Sequence, residues 1–290
     1  MTWFLLVFGA TVRVHGAGLA CPDWPLCFGE VIPELNFQVF LEWGHRTFAG
    51  AISLGFLGLG GWILWRPRLR AQAGWLVLAS AFVLVVQIVL GGLTVLHLLA
   101  YWSVTLHLLT GNVFLLSLLV IAERLAPPVA NRAAGAPIAQ RHARVLAALV
   151  VVAWFVQMAL GGLVSSNFAG LACTEWPTCN AGVWFPTFDG IVGLQLLHRA
   201  GAYALFALAV GFAWVARGHA VAGLAKALLG LVLFQVLLGI TNVIMELPVE
   251  VAVLHSAVAD LIGIVAVIAA LRVRAPALLR AHGAPAVALA

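Results

Sequence analysis

At 290 residues the chain is 64% hydrophobic and only 9% charged, with a mean hydropathy of +1.10. A soluble domain carries about 25% charged residues, so a water-soluble globular fold is excluded and a polytopic membrane protein remains. The net charge of +5 would suit a polyanion, but the placement of the basic residues reports topology and excludes a nucleic-acid surface.

The apolar runs are long and continuous rather than alternating, which predicts an all-α integral membrane protein and not a barrel. Eight spans follow in chain order, at 1–15, 38–65, 74–96, 103–123, 145–165, 191–215, 223–245 and 252–271. The first is short: about 14 residues precede His15, where a spanning helix needs about 20. It lacks the basic start and small-residue cleavage site of a signal peptide. The joints after spans 2, 4, 6 and 8 hold Arg66, Arg68, Arg70, Arg124, Arg132, Arg141, Arg144, Arg217, Lys226, Arg272, Arg274 and Arg280, which is 12 of the 15 basic residues. The opposite side holds Asp23, Glu30, Glu34, Glu175, Asp189, Glu246 and Glu250. The positive-inside rule therefore places both termini in the cytoplasm of a multi-pass cell-membrane protein.

The chain is an internal repeat. Gly18 to Cys27 (GLACPDWPLC) recurs as Gly170 to Cys179 (GLACTEWPTC) at an offset of 152. His45-Arg46 recurs as His198-Arg199 at 153, and Gln87 to His107 aligns without a gap onto Gln235 to His255 at 148. Three anchors at nearly one offset predict two halves of four helices each. An even number per half keeps them in one orientation, which predicts two four-helix bundles related by a pseudo-two-fold axis along the membrane normal. The expected division is 1–124, a basic linker at 125–144 and 145–290. A shorter echo, Gln87-x-x-Leu-Gly-Gly, Gln157-x-x-Leu-Gly-Gly and Gln235-x-x-Leu-Gly, has a remnant at Phe8-Gly9-Ala10. Its glycines permit close approach, either of a helix or of a large flat ligand.

Four histidines, His45, His107, His198 and His255, occupy repeat-matched apolar positions near the extracytoplasmic ends of spans 2, 4, 6 and 8. Ionisable residues in membrane helices are costly and mark working sites. His45 facing His107, and His198 facing His255, suit bis-histidine ligation of haem iron. Two histidines per site are too few for zinc, and copper stays open. His15, His97, His142, His219 and His282 have no repeat partner and fall in loops or span ends. Arg46 and Arg199 each follow a ligand histidine, as candidates for pairing haem propionates.

The halves differ three residues before the first histidine: Glu42 in one, Gln195 in the other. An i, i+3 pair shares a helix face, so Glu42 is expected in the His45 pocket, where burial favours protonation; an interfacial carboxylate paired with Arg46 is the alternative. Half one is then the half that reacts, and half two holds a fixed electron-transfer cofactor. Asp260 lies five residues after His255, and Asn112 takes the same place after His107. All four cysteines lie in the two large outer loops, as Cys21-x5-Cys27 and Cys173-x5-Cys179, in an oxidising compartment that permits a disulfide in each loop. A redox-active pair is the alternative, above all for Cys21 and Cys27.

Together, the Gly18-Leu19 start of the Trp-Pro loop with its cysteine pair, Glu42-x-x-His45-Arg46, the four histidines, the duplicated Gln-x-x-Leu-Gly-Gly spans and the eight helices resemble the heme A synthase family. The resemblance implies oxidation of the C8 methyl group of haem O to a formyl group, giving haem A for terminal oxidases. It implies substrate haem O at His45 and His107, a haem B cofactor at His198 and His255, a catalytic role for Glu42 and a matched loop pair at Cys21 and Cys27. It also implies partners: a haem O synthase and an electron carrier, whose identity the sequence leaves open. A homo-oligomer is allowed by small residues on several helices but not demanded. The competing reading is a di-haem transmembrane cytochrome that exchanges electrons with quinone.

Overall fold

The computed structural model describes residues 1–126 and 137–274, and all of its regular structure is helical. Eight α-helices follow one another: α1 (Thr2–Val14), α2 (Phe37–Trp65), α3 (Pro67–Leu96), α4 (Tyr101–Leu125), α5 (Pro137–Ser166), α6 (Gly190–Val215), α7 (Ala222–Ile244) and α8 (Val249–Arg274). Seven of them are long and apolar enough to cross a bilayer, and α1 is a shorter apolar helix of 13 residues. Of the expected linker at 125–144, residues 127–136 lie outside the described residues, as do Arg132, Arg280 and His282.

Two helices begin earlier than the apolar runs. α3 starts at Pro67 rather than 74 and α5 at Pro137 rather than 145. Hydropathy marks where the bilayer core begins, whereas a helix begins where its hydrogen bonds do. Proline is favoured in the first turn, where its missing N–H has no intrahelical acceptor. The extra turns carry Arg68, Arg70, Arg141 and Arg144, which extend past the apolar stretch. At the other end of the bundle Asn36 caps α2, its side chain accepting from the Val39 N–H at 2.9 Å.

Within residues 1–126, α1 packs on α2, α2 on α3, α3 on α4, and α4 back on α1. In the second half α5 packs on α6, α6 on α7, α7 on α8, and α8 back on α5. Between the halves the contacts are α4 with α5, α1 with α8, and α4 with α8. Each half has its own apolar centre, built around Phe56, Ile63, Val77 and Phe114 in the first and Trp154, Phe212, Leu228 and Ile262 in the second. Trp154 lies against Gly263, where a Cβ would overlap its ring, and donates its indole N–H to the Ala259 carbonyl at 2.7 Å. Two pairs of repeat-matched residues meet across the seam. Arg13 donates to Ser165, its counterpart at offset 152. Asn112 lies beside Asp260, its counterpart at offset 148.

The loops before α2 and α6 repeat one another in detail. Disulfides join Cys21 to Cys27 and Cys173 to Cys179, and all four cysteines are buried. The backbone turns through positive φ at Phe28 (56°) and Gly29 (74°), and again at Ala181 (49°) and Gly182 (74°). Such turns present consecutive N–H groups to an anion. Asp23 accepts from Phe28 and Gly29 at 2.7 and 2.8 Å, and Glu175 from Ala181 and Gly182 at 3.0 Å each. The Gly29 N–H, with that of Phe28, holds the Asp23 carboxyl below its usual range. The Gly182 N–H, then the Thr178 hydroxyl and the Ala181 N–H, do the same for Glu175.

Candidate functional site

His45 stands eight residues into α2 and His198 eight into α6, while His107 and His255 each stand six residues into α4 and α8. At 1.5 Å per residue these positions are ~12 and ~9 Å from the helix starts, so all four rings share one end of the bundle. His45 is within electrostatic range of His107, and His255 of His198. α2 and α4 sit across the first ring of helices from each other, and α6 and α8 across the second.

Each imidazole lies against a glycine of the preceding helix. A Cβ on Gly9 would stand 3.0 Å from His45 Cε1, on Gly91 3.0 Å from His107 Cε1, on Gly161 3.1 Å from His198 Cε1, and on Gly239 3.4 Å from His255 Cε1. The glycines of the duplicated spans, and the remnant in the first, therefore make room for the rings themselves. Three of those helices add a glutamine one turn earlier. Gln87 Nε2 lies 3.4 Å from His107 Nε2; Gln157 Nε2 lies 3.1 Å from His198 Nδ1 and donates to the His198 carbonyl at 2.9 Å; Gln235 donates to the His255 carbonyl at 2.9 Å. Sequence reasoning saw these glutamines as part of a repeat but not as supports for the histidines; their constant spacing of four from the glycine was the available signal.

The nitrogens left over fit a metal-bound macrocycle. His45, His107 and His255 each keep a buried Nδ1 without a hydrogen-bond partner. Unpaired buried polar atoms are rare, and their cost is offset when the ring is an iron ligand. Among the described residues no group of three or more His, Cys, Asp or Glu gathers as a cation cage. Two imidazoles per half, facing across an apolar ring of helices, match the axial set of a haem.

Glu42 is 4% exposed, and both its oxygens are engaged. Oε1 pairs with Arg46 Nη2 at 2.5 Å, and Oε2 accepts the Cys21 N–H at 2.8 Å. The Arg46 partner is the alternative that the sequence offers for this acid, and Glu42 stands one turn from His45 on the same helix. Arg46 also donates to the carbonyls of Asp23 and Leu26 at 2.8 and 2.7 Å, and to that of Cys21 at 3.3 Å. Arg199 repeats the pattern on the carbonyls of Thr178, Glu175 and Cys173, at 2.8, 2.8 and 3.2 Å. Both arginines expected to face propionates thus fasten the disulfide loops to the helix turns that carry His45 and His198. In the second half Gln195, 5% exposed, donates to the Gly170 carbonyl at 3.1 Å where Glu42 binds Cys21 in the first.

A second difference lies beside it. The ring of Trp24 presses on Gly92, where a Cβ would come within 3.0 Å. The position matching Gly92 at offset 148 is Ile240, and Trp176 instead lies 3.3 Å from the Tyr203 hydroxyl. The loop of the first half rests on the helix that supports His107, through a glycine that the second half replaces with isoleucine.

Comparison with known proteins agrees with this geometry. Residues 1–38 and 34–267 match the family described as cytochrome oxidase assembly protein, COX15-CtaA. The chain is 31% identical to a heme A synthase of Shewanella oneidensis, over 90% of each chain. It is 30% identical to one of a Methylobacterium species, over 89% of this chain and 85% of the relative. A third, from Shouchella clausii, is 31% identical over 73% and 72% of the two. With a duplicated pair of histidines on glycine-lined helices, and this similarity along almost its whole length, the chain belongs to the heme A synthase family.

Proposed function

We propose that this protein oxidises the C8 methyl group of haem O to a formyl group, yielding haem A for terminal oxidases. The observation that carries the proposal is the single acid in an otherwise matched pair of sites: Glu42 beside His45, and Gln195 beside His198. Residues 1–124 form the half that takes substrate haem O, with His45 and His107 as iron ligands. Residues 145–290 form the half that takes haem B, with His198 and His255 as iron ligands, and 125–144 join them. The two bundles are related by a pseudo-two-fold axis along the membrane normal; the closed ring of neighbours within each half, and the meeting of Arg13 with Ser165 and Asn112 with Asp260, support this. The basic ends of α2, α4, α6 and α8 face the cytoplasm with both termini, and the haem sites lie toward the extracytoplasmic side.

Haem B, when bound, supplies one-electron redox chemistry. The protein's residues orient the substrate and set the field around it. His45 and His107, each seated on a glycine of the preceding helix, would hold haem O between them, with its farnesyl tail toward lipid. Glu42, held as an anion by Arg46 and the Cys21 N–H, is suited to accept a proton or to stabilise positive charge that develops as the methyl group is oxidised through the alcohol to the aldehyde. Electrons leave to a carrier, and substrate arrives from a haem O synthase.

The test is expression of the chain with a haem O source, followed by chromatography of the extracted haems, beside E42A and H198A. Haem A from the wild type, little from E42A, and loss of haem B from H198A are the expected results. Intact wild-type protein that holds two haems and forms no haem A would overturn the synthase reading in favour of a di-haem cytochrome.

A further inference from the structure

Three basic side chains stand at the histidine ends of the helices: Arg13, Arg46 and Arg199. The last two are fastened to loop carbonyls. Arg13, in the last turn of α1, behaves differently. Its guanidinium leaves the first half and reaches the second, with Nη1 on the Ser165 hydroxyl of α5 and Nη2 3.4 Å from the Ser256 hydroxyl of α8. Ser256 directly follows His255, and Arg13 lies within electrostatic range of that imidazole. Among the described residues the ion pairs are Arg46 with Glu42 and Arg272 with Glu123, so Arg13 has no carboxylate partner.

Arg13 is exposed at the seam, and its guanidinium, met by two neutral hydroxyls, has no carboxylate to neutralise it. It offers five N–H donors in a planar fork that matches a carboxylate. The anion that belongs at this depth, beside His255, is a haem propionate. We propose that Arg13, supplied by the first half, binds a propionate of the haem held by His198 and His255 in the second. The inference rests on the reading of that site as a haem site. The seam between the halves then serves the chemistry as well as the packing, because the cofactor of one half is completed by a side chain of the other. A lipid phosphate has the same chemistry, and it would leave the haem's properties independent of Arg13.

The experiment is a spectroscopic redox titration of the purified full chain in an H45A/H107A background, so that only the second-half haem is read. Removing a positive charge beside the haem favours the ferric form. R13Q is expected to lower the ratio of reduced to oxidised haem about tenfold at a fixed potential, which is 59 mV for a one-electron couple. R13K is expected to recover most of that shift. S165A/S256A removes the arginine's protein partners but keeps its charge, and is expected to titrate like the parent. An unchanged potential in R13Q, with haem retained, overturns the proposal and favours lipid phosphate. If R13Q holds no haem, the serine variant decides: parental haem content and potential support the proposal, and the same loss there shows a merely structural tether and overturns it. The site reading is tested apart from Arg13, since a low-spin haem that survives H198A/H255A would refute it whatever R13Q does.

Discussion

Asn112 and Asp260 stand at the same place in the two copies of the repeat, and they touch. Both are buried, 1% and 3% exposed, at the packing of α4 on α8. Equivalent residues of a duplicated chain meet only where the copies face each other. Asn112 donates to the Leu108 carbonyl at 3.2 Å, which fixes its side chain beside its counterpart. Loss of one partner from a buried polar pair costs about 1–3 kcal/mol. D260A should therefore lower the unfolding midpoint in detergent, while N112L/D260L, which leaves no orphan, should lie closer to the wild type. Equal midpoints for D260A and wild type would remove the pair from the stability of the seam.

The contact between glycine and imidazole gives a second prediction. G161V places side-chain carbons against His198, where a Cβ alone stands 3.1 Å away. Overpacking costs about 1–3 kcal/mol, so haem affinity at that site should fall roughly 10- to 100-fold. Gly230, with nothing within 4 Å of its Cβ position, is the control, and G230A should retain full haem. Haem per polypeptide, measured by absorbance, decides; equal occupancy in both variants would falsify the assigned role of the glycine.

Exchange of the two differing residues tests which half reacts. E42Q removes the anion paired with Arg46 and should reduce haem A formation by about 10²-fold, the scale of a lost proton-transfer group. Q195E puts an acid four residues before Arg199 and should leave product formation near the wild-type level. Chromatography of extracted haems reads both. Comparable losses in the two variants would mean that the acid does not distinguish the halves.

The loop carboxylates predict an acid sensitivity. Asp23 and Glu175 are held below their ordinary pKa values by backbone N–H groups, so each favours the folded loop when ionised. That contribution is complete above the ordinary carboxylate value of ~4 and is lost as the pH falls through the lower folded values. Both loops should loosen at the acid end of that window, read as a change in Trp24 and Trp176 emission. In D23N/E175Q the emission should no longer follow pH there; an unaltered profile would show that other groups control the loops.

Much of this was legible in the sequence because membrane helices leave strong marks. Apolar runs locate the helices, and a duplicated histidine at a fixed offset locates a pair of sites. The difference between Glu42 and Gln195 needed only the two halves laid side by side. Apart from Glu42, one turn before Arg46, the targets of Arg46 and Arg199 were hidden for a physical reason: they are backbone carbonyls, which every residue has and no sequence pattern marks. Arg13 was hidden because it crosses between halves, and a repeat describes what is alike within each half. The early starts of α3 and α5 were missed because hydropathy falls to zero at the bilayer boundary while the backbone hydrogen bonds continue beyond it.

Each of the four imidazoles leans on main chain, since glycine has no side chain to yield. A rotamer can turn aside when a neighbour moves, but a backbone cannot. The position of each ring is therefore tied to the gap between two helices, α1 and α2 for His45 at Gly9, α3 and α4 for His107 at Gly91.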